Sequence, residues 1–406
     1  MVRALSLLGL LMLLAACNRA ATETPPPVTV SSELATVSSE PTTASPKPAR
    51  STANPLPTDA PTPIDVPTLM APATAATATP DAPYRVEEVT WALDDTTMAA
   101  TLTRPAGDGL FPAVIFVAGG GPADRDWNSA QLPGRNGSAT LLADELTRAG
   151  YATLRYDKRT TGPYAQQNRA ALQGKISFQS HLDELTAAVD YLVAQPGIDP
   201  TRLFVLANSE GTLHAMNYQT SDPAVPFAGL ILTGAPGEPI ADLVRRQIDR
   251  DALSDTPDRD TLLALWDEAM AAFIAGGSAE LDPALPRDAQ AMWSGLVAPA
   301  NQPFMAEFMA ARPADLLAAT AAPALVIIGQ KDIQVDWQID GAALEAAAGN
   351  NVTFSYPANA NHALKLEEKP AGELTAADGA TYNAADRVLD PETLEVILEW
   401  LAEQAN

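Results

Sequence analysis

A serine hydroxyl is a poor nucleophile until a base takes its proton. A histidine can be that base when a carboxylate fixes its tautomer and steadies the imidazolium. The chain holds candidates for all three parts, in the order Ser209, Asp332, His362. Ser209 sits in Ala207-Asn208-Ser209-Glu210-Gly211, directly after the apolar run 203–206 and before a helix-compatible segment. Strand, sharp turn with serine at its tip, then helix is how a nucleophile elbow reads. Such a turn needs small residues two positions before and after the serine. Gly211 supplies one, and Ala207 stands where glycine is usual. The competing reading of the pentapeptide is an ordinary strand-to-helix loop that contains a serine.

Only three histidines are available, His181, His214 and His362. His181 begins an amphipathic segment ahead of the elbow. His214 follows Ser209 by five residues on the outgoing helix and is expected to pack beside the sheet rather than reach back. His362 stands in a loop after the last apolar run, where sites of open α/β sheets assemble. The carboxylate is expected from a strand end between serine and histidine. Asp332 follows residues 326–328 in a turn with Gly329, and Asp336 is the competitor, alternatively the cap of the next helix.

Acyl transfer also needs hydrogen-bond donors for the oxyanion. Ala118-Gly119-Gly120-Gly121 after a buried strand suits this, because glycine lets backbone N–H groups approach a ligand closely. The second donor would be the amide of Glu210, next to the serine. Asp124-Arg125-Asp126 and Asp157-Lys158-Arg159 read as ion-paired braces of these loops.

The elements that must position these residues alternate. Residues 86–93 and 98–104 read as an antiparallel pair. The runs 113–117, 151–156, 203–206, 227–232, 324–328 and 352–356 read as further strands, and 140–149, 178–194 and 391–403 as helices. That pattern argues a mostly parallel sheet covered on both faces. Residues 237–320 break it. They hold no strand pattern, and Leu262, Leu265, Trp266, Met270 and Phe273 recur at helical spacing, as in a helical insertion. Aromatic and methionine residues so spaced are core, pocket lining, or both.

The chain has 406 residues and a net charge of −25. That balance argues against nucleic acid, whose phosphates need a basic partner. One cysteine, Cys17, excludes an intrachain disulfide and a cysteine metal cluster. Arg3, the apolar run 7–14 and Leu14-Ala15-Ala16-Cys17 resemble a lipoprotein signal peptide over residues 1–16, with Cys17 as the lipidated residue. The run is too short to span a membrane comfortably. Residues 18–82 are rich in Pro, Thr, Ser and Ala without aromatics, a composition expected to form a disordered, semi-extended tether. These readings place residues 17–83 between a lipid anchor and a domain over 84–406, at the extracytoplasmic side of a cell envelope.

Ser209, Asp332 and His362 on successive strand ends, with the Gly119-Gly120-Gly121-Pro122 loop, Asp124-Arg125-Asp126 and Arg155-Tyr156-Asp157-Lys158-Arg159, resemble the α/β-hydrolase superfamily and its bacterial serine esterase branch. The resemblance runs from about Tyr84 onward. It implies an eight-stranded, mostly parallel sheet with helices on both faces and residues 237–320 as a helical cap. It implies carboxylic ester hydrolysis through an acyl-enzyme, with no metal or cofactor. Ser209 would be nucleophile, His362 base and then acid, Asp332 the orienting carboxylate, and Gly120 and Glu210 the oxyanion donors. Ala118 replaces a histidine common before the oxyanion glycine, so Gly119 or Gly121 remain alternative donors. The partner would be a small ester, its acyl group apolar and modest in size if cap residues line the pocket. Membrane contact would come through the lipid anchor only. A peptidase or acyltransferase would use the same triad, and a non-catalytic binding lipoprotein would be expected to lose part of it.

Overall fold

The computed structural model describes residues 84–404, apart from 255, 278 and 279. The signal segment, Cys17 and the tether lie outside the described residues. No helix among the described residues is long and apolar enough to cross a membrane.

Strands β1 (Tyr84–Leu93) and β2 (Thr96–Pro105) pair antiparallel in unbroken register from Tyr84 opposite Pro105 to Leu93 opposite Thr96. Asp94 takes a positive φ of 51° in the two-residue turn between them, a conformation that hairpin turns require and aspartate tolerates. β1 is the sheet edge, and its exposed charged positions discourage further strand pairing.

The other strands are β3 (Phe111–Val117), β4 (Ala152–Tyr156), β5 (Ile198–Asn208), β6 (Gly229–Thr233), β7 (Ala324–Ile327) and β8 (Val352–Ser355). The eight run β1-β2-β4-β3-β5-β6-β7-β8 across one sheet. β2 meets β4 antiparallel, and every later pairing is parallel. The mostly parallel sheet expected from the alternation, with the eight strands that the resemblance implies, is therefore present.

Helices α1 (Ser138–Arg148), α2 (Ala165–Leu172), α3 (Phe178–Val193) and α4 (Glu210–Thr220) fall between strands, as do α5 (Ile240–Ile248), α6 (Arg259–Ile274), α7 (Arg287–Leu296), α8 (Phe304–Met309) and α9 (Pro313–Ala319). α10 (Ile339–Ala347) and α11 (Pro391–Gln404) complete the set. β3 shows why both sheet faces must be covered. Ala113, Ile115 and Val117 point into one core with Leu185, Val189 and Leu192 of α3. Val114 and Phe116 point into the other, with Leu142 and Leu146 of α1 and Ile397 and Trp400 of α11. Each large apolar side chain so buried contributes roughly 1.5–3 kcal/mol. α3 starts where the Ser177 and Ser180 side chains cap one another's backbone amides.

Helices α5 to α9 form a helical insertion between β6 and β7, from Ile240 to Ala319. Its aromatic residues mostly serve its own packing. Trp293 meets Trp266 and Phe273 edge-on, with ring centroids 5.5 and 5.8 Å apart. The short helix α2 went unread in the sequence: its apolar periodicity is weak, and only Asn168 and Leu172 are buried.

Candidate active site

β5 ends at Asn208 and α4 begins at Glu210, which leaves Ser209 alone in the bend at φ 54°, ψ −124°. A non-glycine residue there is strained, and such strain persists only where surrounding contacts hold it. The Ser209 carbonyl accepts from the Thr212 amide at 2.9 Å and the Thr212 hydroxyl at 2.6 Å, while its own amide donates to Thr233 at 2.9 Å. Gly211 is required because a Cβ there would lie 2.7 Å from the carbonyl oxygens of both Val117 and Ala118. Ala207 lies fully buried in β5, so its methyl group is accommodated while the bend still forms.

Asp332 follows β7 by a short turn. One carboxylate oxygen accepts from the amides of Gln334 and Val335 at 2.7 and 3.0 Å, and the other lies 2.7 Å from Nδ1 of His362. With Nδ1 on the carboxylate, Nε2 is the ring nitrogen available to a serine. The competitor Asp336 instead accepts the amides of Gln338 and Ile339 at the entrance to α10.

Glycine gives the His362 loop its room. A Cβ on Gly329 would lie 2.0 Å from the Ala360 carbonyl. At Gly234, where φ is 53°, a Cβ would stand 3.0 Å from Cε1 of the His362 ring. Asn208 ties the two loops together: its amide donates to the His362 carbonyl at 3.2 Å and to the Thr233 hydroxyl at 3.2 Å. Ser209 and His362 line one cavity of about 80 Å³ with Gly119 and Gly120. The structure thus brings together Ser209, Asp332, His362 and Gly120, with Glu210 as the first residue of α4. An amide at that position has no partner within its own helix.

A second, smaller cavity of about 20 Å³ also touches Ser209 and Glu210. Its walls are apolar, chiefly Ile240, Leu243 and Val244 of α5, Phe308 of α8, and Val335. Phe308 is an aromatic side chain of the insertion that lines this cavity at Ser209, and Trp266 and Phe273, which recur at helical spacing, do not line it.

Several lining residues were not legible in the sequence. Tyr382 and Asn383 reach the larger cavity from an irregular segment between β8 and α11. The Tyr382 hydroxyl is buried and makes no hydrogen bond, although Gln334 lies beside it. Burial pushes its phenol well above the usual value, so it is neutral. Trp127, at φ 63°, forms another wall and packs on Phe116 at 5.9 Å. No periodicity marks either position.

The two charged clusters brace the loops as expected. Arg125 donates to Asp157 through its backbone amide, Nε and Nη2, at 2.8, 2.9 and 2.6 Å, and Arg155 pairs with Asp126. Lys158 and Arg159 turn inward to two buried carboxylates, Glu210 and Glu184. Those carboxylates in turn meet the other histidines: His181 Nδ1 lies 3.1 Å from Glu184, and His214 Nε2 lies 3.4 Å from Glu210. The two rings are 4.5 Å apart, beside Phe178 and Phe304. Burial alone would raise the Glu210 carboxyl, but Lys158 and His214 outweigh it and bring it down to about 2. Burial, followed by the His181 neighbour, lowers His214 to about 4 and keeps it neutral. His181, Glu210 and His214 are close enough together to hold a metal ion. Both carboxylates here already have a cationic partner, so a dication would add uncompensated buried charge.

A mostly parallel, helix-covered sheet with a serine on the sharp turn after β5 and a histidine–carboxylate pair beside it defines the α/β-hydrolase class of fold. Residues 114–377 match the model of the alpha/beta hydrolase family, and the chain belongs to that family. It is similar to esterase EstD of Thermotoga maritima, 26% identical over 147 residues. That stretch is 36% of this chain and spans only 32% of the relative's length. Among solved structures it is similar to Est1E from Butyrivibrio proteoclasticus, at 15% identity and a TM-score of 0.45, covering 78% of this chain and 98% of that one. A proline iminopeptidase from Mycobacterium smegmatis stands at 17% identity and a TM-score of 0.45, with the same coverage of both chains.

Proposed function

We propose that this protein is a serine esterase that cleaves carboxylic esters through an acyl-enzyme. The observation that carries the reading is the 2.7 Å contact of His362 with Asp332, on the same cavity as a serine held at positive φ. Ser209 Oγ attacks the ester carbonyl while His362 Nε2 takes its proton. Asp332 holds the tautomer and stabilises the imidazolium. The negative oxygen of the tetrahedral intermediate accepts from the amides of Gly120 and Glu210. His362 then gives its proton to the departing alcohol. A water, deprotonated by the same nitrogen, releases the acid.

The two cavities that meet at Ser209 divide the substrate. The small apolar one beneath α5 suits a short acyl chain, and the larger, more polar one suits the alcohol. The chemistry calls on protein groups alone. We further propose that Cys17 is lipidated and that the domain works at the outer side of a membrane on its tether. The apolar run, the small residues before Cys17 and the Pro/Thr/Ser composition support this.

The test is hydrolysis of p-nitrophenyl esters of increasing acyl length, beside Ser209→Ala. We expect acetate and propionate to be cleaved, with activity falling as the acyl chain outgrows the apolar cavity. Ser209→Ala should lose roughly 10⁴- to 10⁶-fold in kcat. An inert wild type, or a variant of equal activity, contradicts the proposal.

A further inference from the structure

Lys158 sits behind the reacting groups with its ammonium buried. Its Nζ donates to the Gly119 carbonyl at 2.8 Å and stands 3.4 Å from Oε1 of Glu210. These two residues bear on both proposed oxyanion donors. The Gly119 carbonyl and the Gly120 N–H belong to one peptide unit. That unit is trans, since the cis peptide bond of the described residues is at Gln302-Pro303. In a planar trans peptide the C=O and N–H point in opposite directions. A cation fixed on the carbonyl side therefore holds the N–H towards the other side. Gly119 and Gly120 line the cavity and Lys158 does not. The second donor is the amide of Glu210, whose side chain is the other partner of the same ammonium.

We propose that Lys158 is a positioning residue that sets the oxyanion hole, holding the Gly120 and Glu210 amides in register with one another. The inference rests on the esterase reading above. The clamp acts by position more than by net field, because Glu210 neutralises the ammonium it faces. His214 supports it from behind. Its Nδ1 is buried with no hydrogen-bond partner, which matches a neutral ring carrying its proton on Nε2 and donating to Glu210 Oε1 at 3.4 Å. Gly119 packs closely on the elbow, where a Cβ would lie 3.2 Å from Cβ of Ser209 and 3.2 Å from the Asn208 carbonyl oxygen. A misaimed peptide plane would thus be transmitted directly to the reacting carbonyl.

The experiment compares wild type, Lys158→Met and the double variant Lys158→Met/Glu210→Met. The double variant removes the charge that the single one leaves unpaired and buried, so it separates misfolding from mispositioning. Three quantities are read: kcat and KM for p-nitrophenyl acetate, the inhibition constant of a trifluoromethyl ketone, and the melting temperature. The ketone becomes an oxyanion only when the serine adds to it. We expect both variants to lose about 10²-fold in kcat, with KM within about threefold. The ketone's inhibition constant should rise by the same factor as kcat falls, and the double variant should regain melting temperature without regaining kcat. A double variant with wild-type kcat, or a ketone constant unchanged while kcat falls, overturns the assignment of Lys158. A wild type that neither cleaves the ester nor binds the ketone overturns the esterase reading, and this inference with it.

Discussion

The molecule holds its histidines against carboxylates in two regions, and the regions differ in what surrounds the carboxylate. At the cavity, Asp332 meets His362 at 2.7 Å and is otherwise held by two backbone amides. It forms no ion pair with a lysine or arginine among the described residues. Behind the elbow, Glu184 meets His181 but also Arg159 at 3.0 Å, and Glu210 meets His214 but also Lys158. A carboxylate already matched by a permanent cation has little left with which to stabilise an imidazolium. One matched only by amide dipoles keeps its charge for the histidine. The rear histidines are also walled by Phe178 and Phe304, whereas His362 lines a cavity. A histidine–carboxylate contact alone does not make a base; an unneutralised acid and access to a substrate do.

The comparison breaks if the two regions respond alike to the same change. Asp332→Asn should lower kcat by about 10⁴-fold, because an amide at that position favours the wrong tautomer. Its melting temperature should move little. Glu184→Gln should do the reverse. It leaves the buried Arg159 with only the exposed Asp94, at 3.6 Å, as counter-charge, and should cost about 3 kcal/mol of stability, with kcat of the folded fraction nearly kept. Steady-state kinetics and urea melts on both variants give the answer. Equal loss of activity in both would remove the distinction.

A smaller effect sharpens it. His214 titrates near 4 in the folded chain, against an ordinary value of 6.5, with burial the main cause and His181 next. Between those values the unfolded chain binds a proton that the folded chain refuses. Stability from this residue is therefore complete above pH 6.5, falls as the pH drops towards 4, and changes no further below that. The groups around the ring are Glu210, His181, Phe178 and Phe304, with the Lys158 ammonium on the same Glu210 oxygen. The loss amounts to roughly 3 kcal/mol at most. His214→Phe should flatten that part of the stability–pH curve, as followed by urea melts from pH 7 to 4. An unaltered slope would mean that the ring is charged in the fold.

The parts of the site legible in the sequence are those carried by local pattern. An apolar run that stops at Asn208-Ser209-Glu210-Gly211 announces its own turn, and Asp332 and His362 follow strand runs at the same sheet edge. The helical insertion was legible because 237–320 interrupts a strand–helix alternation. The contacts that build the candidate site were not. Gly234 reads as the end of a strand, and only the folded chain shows the His362 ring occupying the space its missing side chain leaves. Lys158 reads as part of a brace, and its reach to Gly119 spans 39 positions that no period connects. Tyr382 comes from an irregular segment with no pattern to read.

The most direct test of the central claim is labelling with a fluorophosphonate, which modifies only a serine whose hydroxyl is activated by a base. Wild type and Asp332→Asn would be treated at equal concentration, and the adduct followed by intact mass and mapped to a peptide. The account predicts one adduct per chain, on Ser209, formed far more slowly in Asp332→Asn. A folded wild-type protein left unlabelled, or labelled at another residue, would contradict it.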